Sequence, residues 1–162
     1  MTEISEERRT SAERRYVRFA VIGDRAGGWP RTLAGVLAAA HDVSWYDASA
    51  AGATAYDVRR VQLREAVAHR PHLVALKAGV SGRDWDVSEV RSHLTHCARV
   101  LTQRGAVLLT TGVGRQVRWH RRRASELDGI YDELAQRFGS LHLDHASSAA
   151  AVANGFAGAL HL

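Results

Sequence analysis

The sequence has few of the features that would place a protein outside the cell or in a membrane. Cys97 is the only cysteine among 162 residues, which excludes an intramolecular disulfide and fits a reducing compartment. No apolar run approaches the roughly 18 to 20 residues that a membrane-spanning helix needs. Residues 1–15 are charged and lack the apolar core of a secretory signal. We therefore expect a cytoplasmic protein with no membrane attachment.

Lysine is nearly absent as well. Lys77 is the only lysine, although the chain carries 22 basic residues and a net charge of +5. Arginine and alanine in place of lysine are typical of a GC-rich bacterial genome, so codon usage accounts for part of the basic charge. The densest positive segment holds four arginines: Arg118, Arg121, Arg122 and Arg123. It is either a solvated helix start or loop, or the rim of an anion-binding site. No nucleic-acid-binding signature accompanies it, so a nucleic-acid partner is not expected.

What is present is a regular alternation of β-type and helical patterns. The length fits one domain, and we predict a disordered or frayed tail over residues 1–15 and a single domain over residues 16–162. The predicted strands are Tyr16–Ile22, Val43–Tyr46, Leu73–Leu76, Ala106–Thr110 and Leu141–Leu143. The predicted helices are Arg31–Ala40, Asp57–His69, Asp86–Gln103, Ala124–Phe138 and Ala149–Leu160. This order predicts an α/β protein of three layers, α/β/α, around a five-stranded parallel sheet.

In such a sheet, functional groups gather beyond the carboxyl ends of the strands. These strand ends carry motifs whose order and spacing resemble the blocks of one family, the SGNH (GDSL-type) hydrolases. Residues 21–25, Val-Ile-Gly-Asp-Arg, look like the block in which a strand runs into Gly-Asp-Ser. Residues 51–58 resemble the block whose glycine supplies an oxyanion-hole amide, here Gly52. Residues 69–79 resemble the strand that leads into Gly-x-Asn-Asp. The resemblance implies the flavodoxin-like SGNH fold and a site at these strand ends.

The departures from the family pattern concern the catalytic residues themselves. Arg25 stands where the family has its nucleophilic serine, and Ser81 or Gly82 stands where an asparagine would donate to the oxyanion. The family closes with Asp-x-x-His, whereas this chain has Gly158 three residues before His161. The chain also ends at Leu162, before the segment that continues the family's last helix. A guanidinium stays charged and cannot act as nucleophile or base. The resemblance is therefore to a divergent member that lacks the serine nucleophile, for which ordinary ester hydrolysis is not expected.

Arg25 beside a helix start favours a different chemistry, the binding of an anion. We expect an acidic or acyl small molecule at this edge, held by Arg25 and by the amide of Gly52. In an enzymatic version, Arg25, Asp24 and His161 are the catalytic candidates, for an isomerisation, cyclisation or acyl rearrangement. Further ligand-binding candidates are Gly79, Ser81 and Asp84. No cofactor and no metal are expected.

Several alternatives stay open. Arg25 could instead pair with Asp24 or Asp84 and have a purely structural role. The chain could be an esterase or acyltransferase with a displaced nucleophile, Ser49 or Ser81, or an inactive module that binds a protein partner or a second copy of itself. Cys97 lies on the apolar stripe of a helix and is expected in the core. Asp144 and His145 could supply an acid and a base, although a strand-end aspartate more often caps a helix.

Overall fold

The computed structural model describes residues 14–25, 28–82, 85–112, 121–143 and 148–162. Its five strands are β1 (Tyr16–Gly23), β2 (Asp42–Asp47), β3 (Leu73–Lys77), β4 (Val107–Thr111) and β5 (Leu141–Leu143). All are parallel, in the order β2-β1-β3-β4-β5, which is the flavodoxin-like order. The predicted five-stranded parallel sheet is confirmed, and each strand lies within a residue of its expected bounds. Most of the predicted tail lies outside the described residues.

Six α-helices and one π-helical turn occupy the described ranges between and after these strands. They are α1 (Trp29–Ala38), α2 (Ala55–Asp57), the π-helical turn (Val58–Gln62), α3 (Leu63–His69), α4 (Val87–Gln103), α5 (Arg121–Phe138) and α6 (Ala149–Ala159). The helix expected over Asp57–His69 is thus interrupted by wider helical geometry, which the apolar spacing did not indicate. None of the helices in these ranges combines the length and apolarity needed to cross a bilayer.

The two faces of the sheet carry separate apolar cores, as three layers require. On β1, Phe19 and Val21 face the layer that contains α1 and α6, and Ala20 and Ile22 face the layer that contains α3, α4 and α5. All four side chains are buried. Because β1 is covered on both faces, it reads in the sequence as an unbroken apolar run rather than as an alternating one.

Two helix starts fix loops at the carboxyl edge of the sheet. Asp86 caps α4, since its Oδ1 accepts hydrogen bonds from the amides of Ser88 at 2.8 Å and Glu89 at 3.2 Å. Thr54 and Asp57 form a reciprocal capping box at the start of α2. A capping box satisfies amides that the first helical turn leaves unpaired. The loop that carries Gly52 therefore enters α2 along a defined path.

The backbones of β1 and β3 approach each other closely at the end of β1. Gly23 has φ of +120°, and a Cβ added there would lie 1.9 Å from the carbonyl oxygen of Lys77 on β3. The side-chain amide of Gln62 closes the same point, because its Oε1 accepts from Gly23 N at 2.5 Å and its Nε2 donates to Gly23 O at 3.2 Å. Gln62 is buried and belongs to the π-helical turn. This turn therefore secures the residue that precedes Asp24.

We expect Gln62→Leu to lower the free energy of unfolding by about 1–3 kcal/mol, because it leaves the buried amide of Gly23 without an acceptor. Urea denaturation measures the change. Gln136→Leu, on the exposed side of α5, is the matched control and should stay within about 0.5 kcal/mol of the parent. Equal losses in the two variants would show that the Gln62 amide contributes nothing specific.

Cys97 lies on the buried stripe of α4 and is fully buried, as the sequence predicted. Burial raises the pKa of its thiol to about 12. The folded protein should therefore keep Cys97 as the neutral thiol at about pH 8, where an unfolded thiol near its usual pKa of about 8.5 reacts readily. We expect a disulfide reagent such as DTNB to label Cys97 only after denaturant is added. Rapid labelling of the native protein would contradict this placement and would reopen Cys97 as a nucleophile.

Candidate functional site

Asp24 is the centre of a hydrogen-bonded cluster just beyond β1. Its Oδ1 accepts from the backbone amides of Arg25 at 2.7 Å and Gly52 at 2.9 Å, and its Oδ2 accepts from the Ser81 hydroxyl at 2.8 Å. Gly52 follows β2 and Ser81 follows β3, so one carboxylate joins three loops. The structure thus brings together Asp24, Gly52 and Ser81, which the sequence placed on separate loops at the same edge.

The geometry differs from expectation in what the Gly52 amide does. We expected this amide to donate to a bound ligand, but in the structure it donates to Asp24. An amide has a single hydrogen to donate, and an ionised carboxylate is a strong acceptor for it. A negative ligand placed on the Gly52 amide would therefore compete with Asp24 and meet its charge.

The side chain of Arg25 is exposed. Within the described ranges its guanidinium forms no ion pair, so pairing with Asp24 is not observed. Its backbone amide, not its side chain, contacts Asp24. Asp84, the other expected partner and a predicted ligand-binding residue, lies outside the described residues.

The Arg25 side chain borders an open groove of about 600 Å³. The groove is lined by Val21, Arg25, Gly28, Pro30, Arg31, Trp45, Asp47 and Ser49. Trp45 is 37% exposed and packs edge-on against Phe19, with 5.2 Å between ring centroids. Asp47 Oδ1 accepts from the amide of Ser49 at 2.9 Å and from its hydroxyl at 2.5 Å. The groove therefore combines two guanidinium groups with one carboxylate and an aromatic wall.

Gly79 faces the core rather than the groove. It has φ of +106°, and a Cβ there would lie 2.8 Å from Leu127 Cδ1 and 3.0 Å from Val90 Cγ1. Its lack of a side chain makes room for α4 and α5, and its predicted role in ligand binding stays a prediction. The carbonyl oxygen of Gly79 accepts a short hydrogen bond from Trp85 Nε1. Gly79 thus shapes the loop that carries Ser81.

Residues of α5 hold that loop from the other side. The hydroxyl of Tyr131, which is fully buried, donates to Ala78 O at 2.7 Å and accepts from Ala78 N at 2.8 Å. Burial is the main reason that the pKa of this phenol is raised, so it stays protonated. Arg123 Nη1 donates to Gly82 O at 2.8 Å, and its guanidinium lies 5.8 Å from the centre of the Trp85 ring. These contacts set the position of Ser81 relative to Asp24.

The described part of the basic segment is a helix start. Arg121 begins α5, Arg122 pairs with Glu126 at 3.1 Å, and Arg123 is directed at the loop after β3. These three arginines also line a groove of about 640 Å³ together with Trp85 and Asp86, so both interpretations, a solvated helix start and the rim of an anion-binding site, stay predictions. Arg118 lies outside the described residues, as do Asp144 and His145.

His161 is not part of the Asp24 cluster. The start of α6 lies beside the groove, because a Cβ added at Gly28 would lie 4.0 Å from the Cβ of Ala149. The helix then extends over 11 residues, about 16 Å at the usual rise. His161 follows its far end and is exposed. The sequence predicted a catalytic role for His161 from its spacing along the chain, and that role stays a prediction.

The sequence also missed a polar chain between β4, β5 and α5. Thr110 Oγ1 lies 2.8 Å from His142 Nδ1, and His142 Nε2 lies 3.8 Å from Asp132 Oδ1. Hydroxyl, imidazole and carboxylate stand in the order of a hydrolase triad. Thr110 is nevertheless fully buried, so its hydroxyl cannot reach a substrate. The register that pairs Thr110 with His142 could have indicated this chain, but register was not predictable from either strand alone.

The sequence matches no protein-family model and no curated protein, but its fold matches solved structures. TesA has 20% sequence identity and a TM-score of 0.65, over 77% of this chain and 76% of that chain. The psychrotrophic esterase EstA from Pseudoalteromonas sp., inhibited by monoethylphosphonate, has 14% identity and a TM-score of 0.65, over 79% and 76%. A GDSL-like lipase from Bacteroides thetaiotaomicron has 15% identity and a TM-score of 0.55, over 78% and 67%.

These similarities concern the fold, and the fold is the one that the sequence motifs implied. The overall fold of this chain, five parallel strands with helices on both faces, is similar to that of esterases and lipases of the GDSL type. The protein therefore has the α/β fold of the SGNH hydrolases.

Proposed function

We propose that this protein uses the SGNH fold to bind an acidic or acyl small molecule, with Arg25 as the clamp for its negative group, and that it does not hydrolyse esters by the usual serine mechanism. The observation that carries the proposal is the exposed Arg25 guanidinium on an open groove. It occupies the position directly after Asp24, where the resembling family has its nucleophile.

The lining of the groove fits such a ligand. Among the lining residues of the groove, Arg25 and Arg31 are positively charged and Asp47 is the single carboxylate. A guanidinium presents paired donors that match a carboxylate or phosphate. Trp45 and Pro30 supply apolar surface for the body of the ligand. Ligand sites commonly combine such an apolar wall with a few oriented charged groups.

The Asp24 cluster explains why the negative group should sit on the Arg25 side. Asp24 already accepts three hydrogen bonds, including the one from Gly52. Its charge repels an anion from that point, and the two amides and the hydroxyl around it already donate to its carboxylate. In this proposal, Asp24 organises the loops and Arg25 contacts the ligand. The proposal gives no role to His161, which follows the C-terminal end of α6.

The test is a thermal-shift screen of carboxylates and acyl esters against the parent protein and two variants. A ligand at about 100 times its Kd should stabilise the parent by roughly 2.7 kcal/mol. We expect Arg25→Ala to abolish the rise in Tm. Arg104→Ala, at the exposed C-terminal end of α4, is the control and should keep it.

Two outcomes would contradict the clamp. A ligand that raises the Tm of the parent and of Arg25→Ala equally would place binding elsewhere. No rise with any ligand would favour the inactive module, and the next experiment would be a search for a protein partner.

A displaced nucleophile is the second candidate, because the matched folds include esterases and Ser81 presents a half-buried hydroxyl at the same edge. In the described part of the chain, however, the Ser81 hydroxyl donates to a carboxylate and bonds to no imidazole. Activating a serine requires a base within hydrogen-bond reach. We expect a fluorophosphonate probe to leave the protein unlabelled. Labelling that Ser81→Ala removes would establish the esterase alternative instead.

A further inference from the structure

A second groove, separate from the Arg25 site, lies on the outer surface of α4 beside the π-helical turn. Its volume is about 450 Å³. Three arginines line it: Arg59 from the π-helical turn, and Arg91 and Arg99 from α4. The two on α4 are eight residues apart, about 12 Å along the helix. They therefore border a compact pocket rather than a long positive track.

The positive charge of this groove is only partly balanced. Arg91 pairs with Glu133 at 3.1 Å. Arg59 and Arg99 have no carboxylate within 4.0 Å among the residues that the structure describes. Arg59 is half-buried, and its Nη1 lies 3.4 Å from Nδ1 of His93. Like charges held together without a counter-ion produce a positive potential that attracts anions.

The pKa of His96 responds to the positive charges of this groove. Burial is the first cause that holds its pKa below the usual value, followed by the positive charges of Arg59 and Arg99 and by His93. Arg59 reaches it from the π-helical turn, whereas His93 and Arg99 lie on its own helix. An anion bound among these groups would have the opposite effect and would raise the pKa of His96.

The uncharged donors indicate the kind of anion. Ser88, Ser92 and Thr95, which carry hydroxyl groups, also line the groove. A tetrahedral oxyanion can accept hydrogen bonds from several directions, and guanidinium forks match it well. A phosphate monoester carries about −1.5 to −2 charges at neutral pH, which suits two arginines without carboxylate partners. We propose that this groove binds the phosphoryl group of a small molecule.

This proposal does not depend on the Arg25 site, and its test follows the ring protons of His96 by NMR. Inorganic phosphate is titrated at constant ionic strength, and His96→Gln assigns the signal. We expect saturable binding that raises the pKa of His96 by about 1. Arg99→Gln removes an exposed guanidinium from the groove and should weaken phosphate binding at least about tenfold. Arg64→Gln, exposed on α3, is the matched control and should bind phosphate as the parent does.

Three results would overturn the proposal. Chloride could produce the same shift of the His96 signal, which would mean charge screening only. Arg64→Gln could weaken binding as much as Arg99→Gln, which would mean a diffuse effect of net charge. Phenyl phosphate could fail to compete with inorganic phosphate, while a short oligonucleotide binds more tightly than inorganic phosphate and loses affinity steeply with salt. That last result would assign the groove to a nucleic-acid backbone.

Discussion

The close approach of β1 to β3 at Gly23 is the constraint on which the candidate site depends. The backbone there has positive φ, and the space that a Cβ would need is taken by the carbonyl of Lys77. The same carbonyl accepts from Asp24 N at 2.7 Å. Gln62 satisfies both polar groups of Gly23. Because these contacts involve backbone atoms that cannot move independently, they fix where Asp24 and Arg25 leave the sheet.

Just beyond that fixed point, the half-buried carboxylate of Asp24 connects the surrounding loops. Asp24 joins the segments after β1, β2 and β3, and Tyr131 and Arg123 hold the third of these from α5. The arrangement separates two tasks. The carboxylate of Asp24 accepts hydrogen bonds within the protein, whereas Arg25 lines the groove. That separation is the physical basis for proposing binding rather than serine hydrolysis.

The positive charge of the protein is used in different ways at different places. Arg122 and Arg123, in the segment that looked most basic in the sequence, are engaged with Glu126 and with the loop after β3. Arg59 and Arg99 come from distant parts of the sequence and meet on one surface without carboxylate partners in the described ranges. The distance between Arg59 and Arg99 along the chain therefore gave no indication that they line the same groove.

The sequence by itself determined the layers of this protein and the edge that carries its site. The apolar run of β1 and the apolar stripe of α4 are both buried in the core. Because each pattern fits burial in a covered parallel sheet, the strands and helices were predictable. Only the tertiary structure decided the contacts that Asp24 makes with Gly52 and Ser81. It also decided that Gly79 packs against α4 and α5 and that His161 follows the end of α6. Each depends on how far apart and in which direction separate elements pack. Spacing along one chain does not contain that information, because register and helix direction are set by contacts between elements.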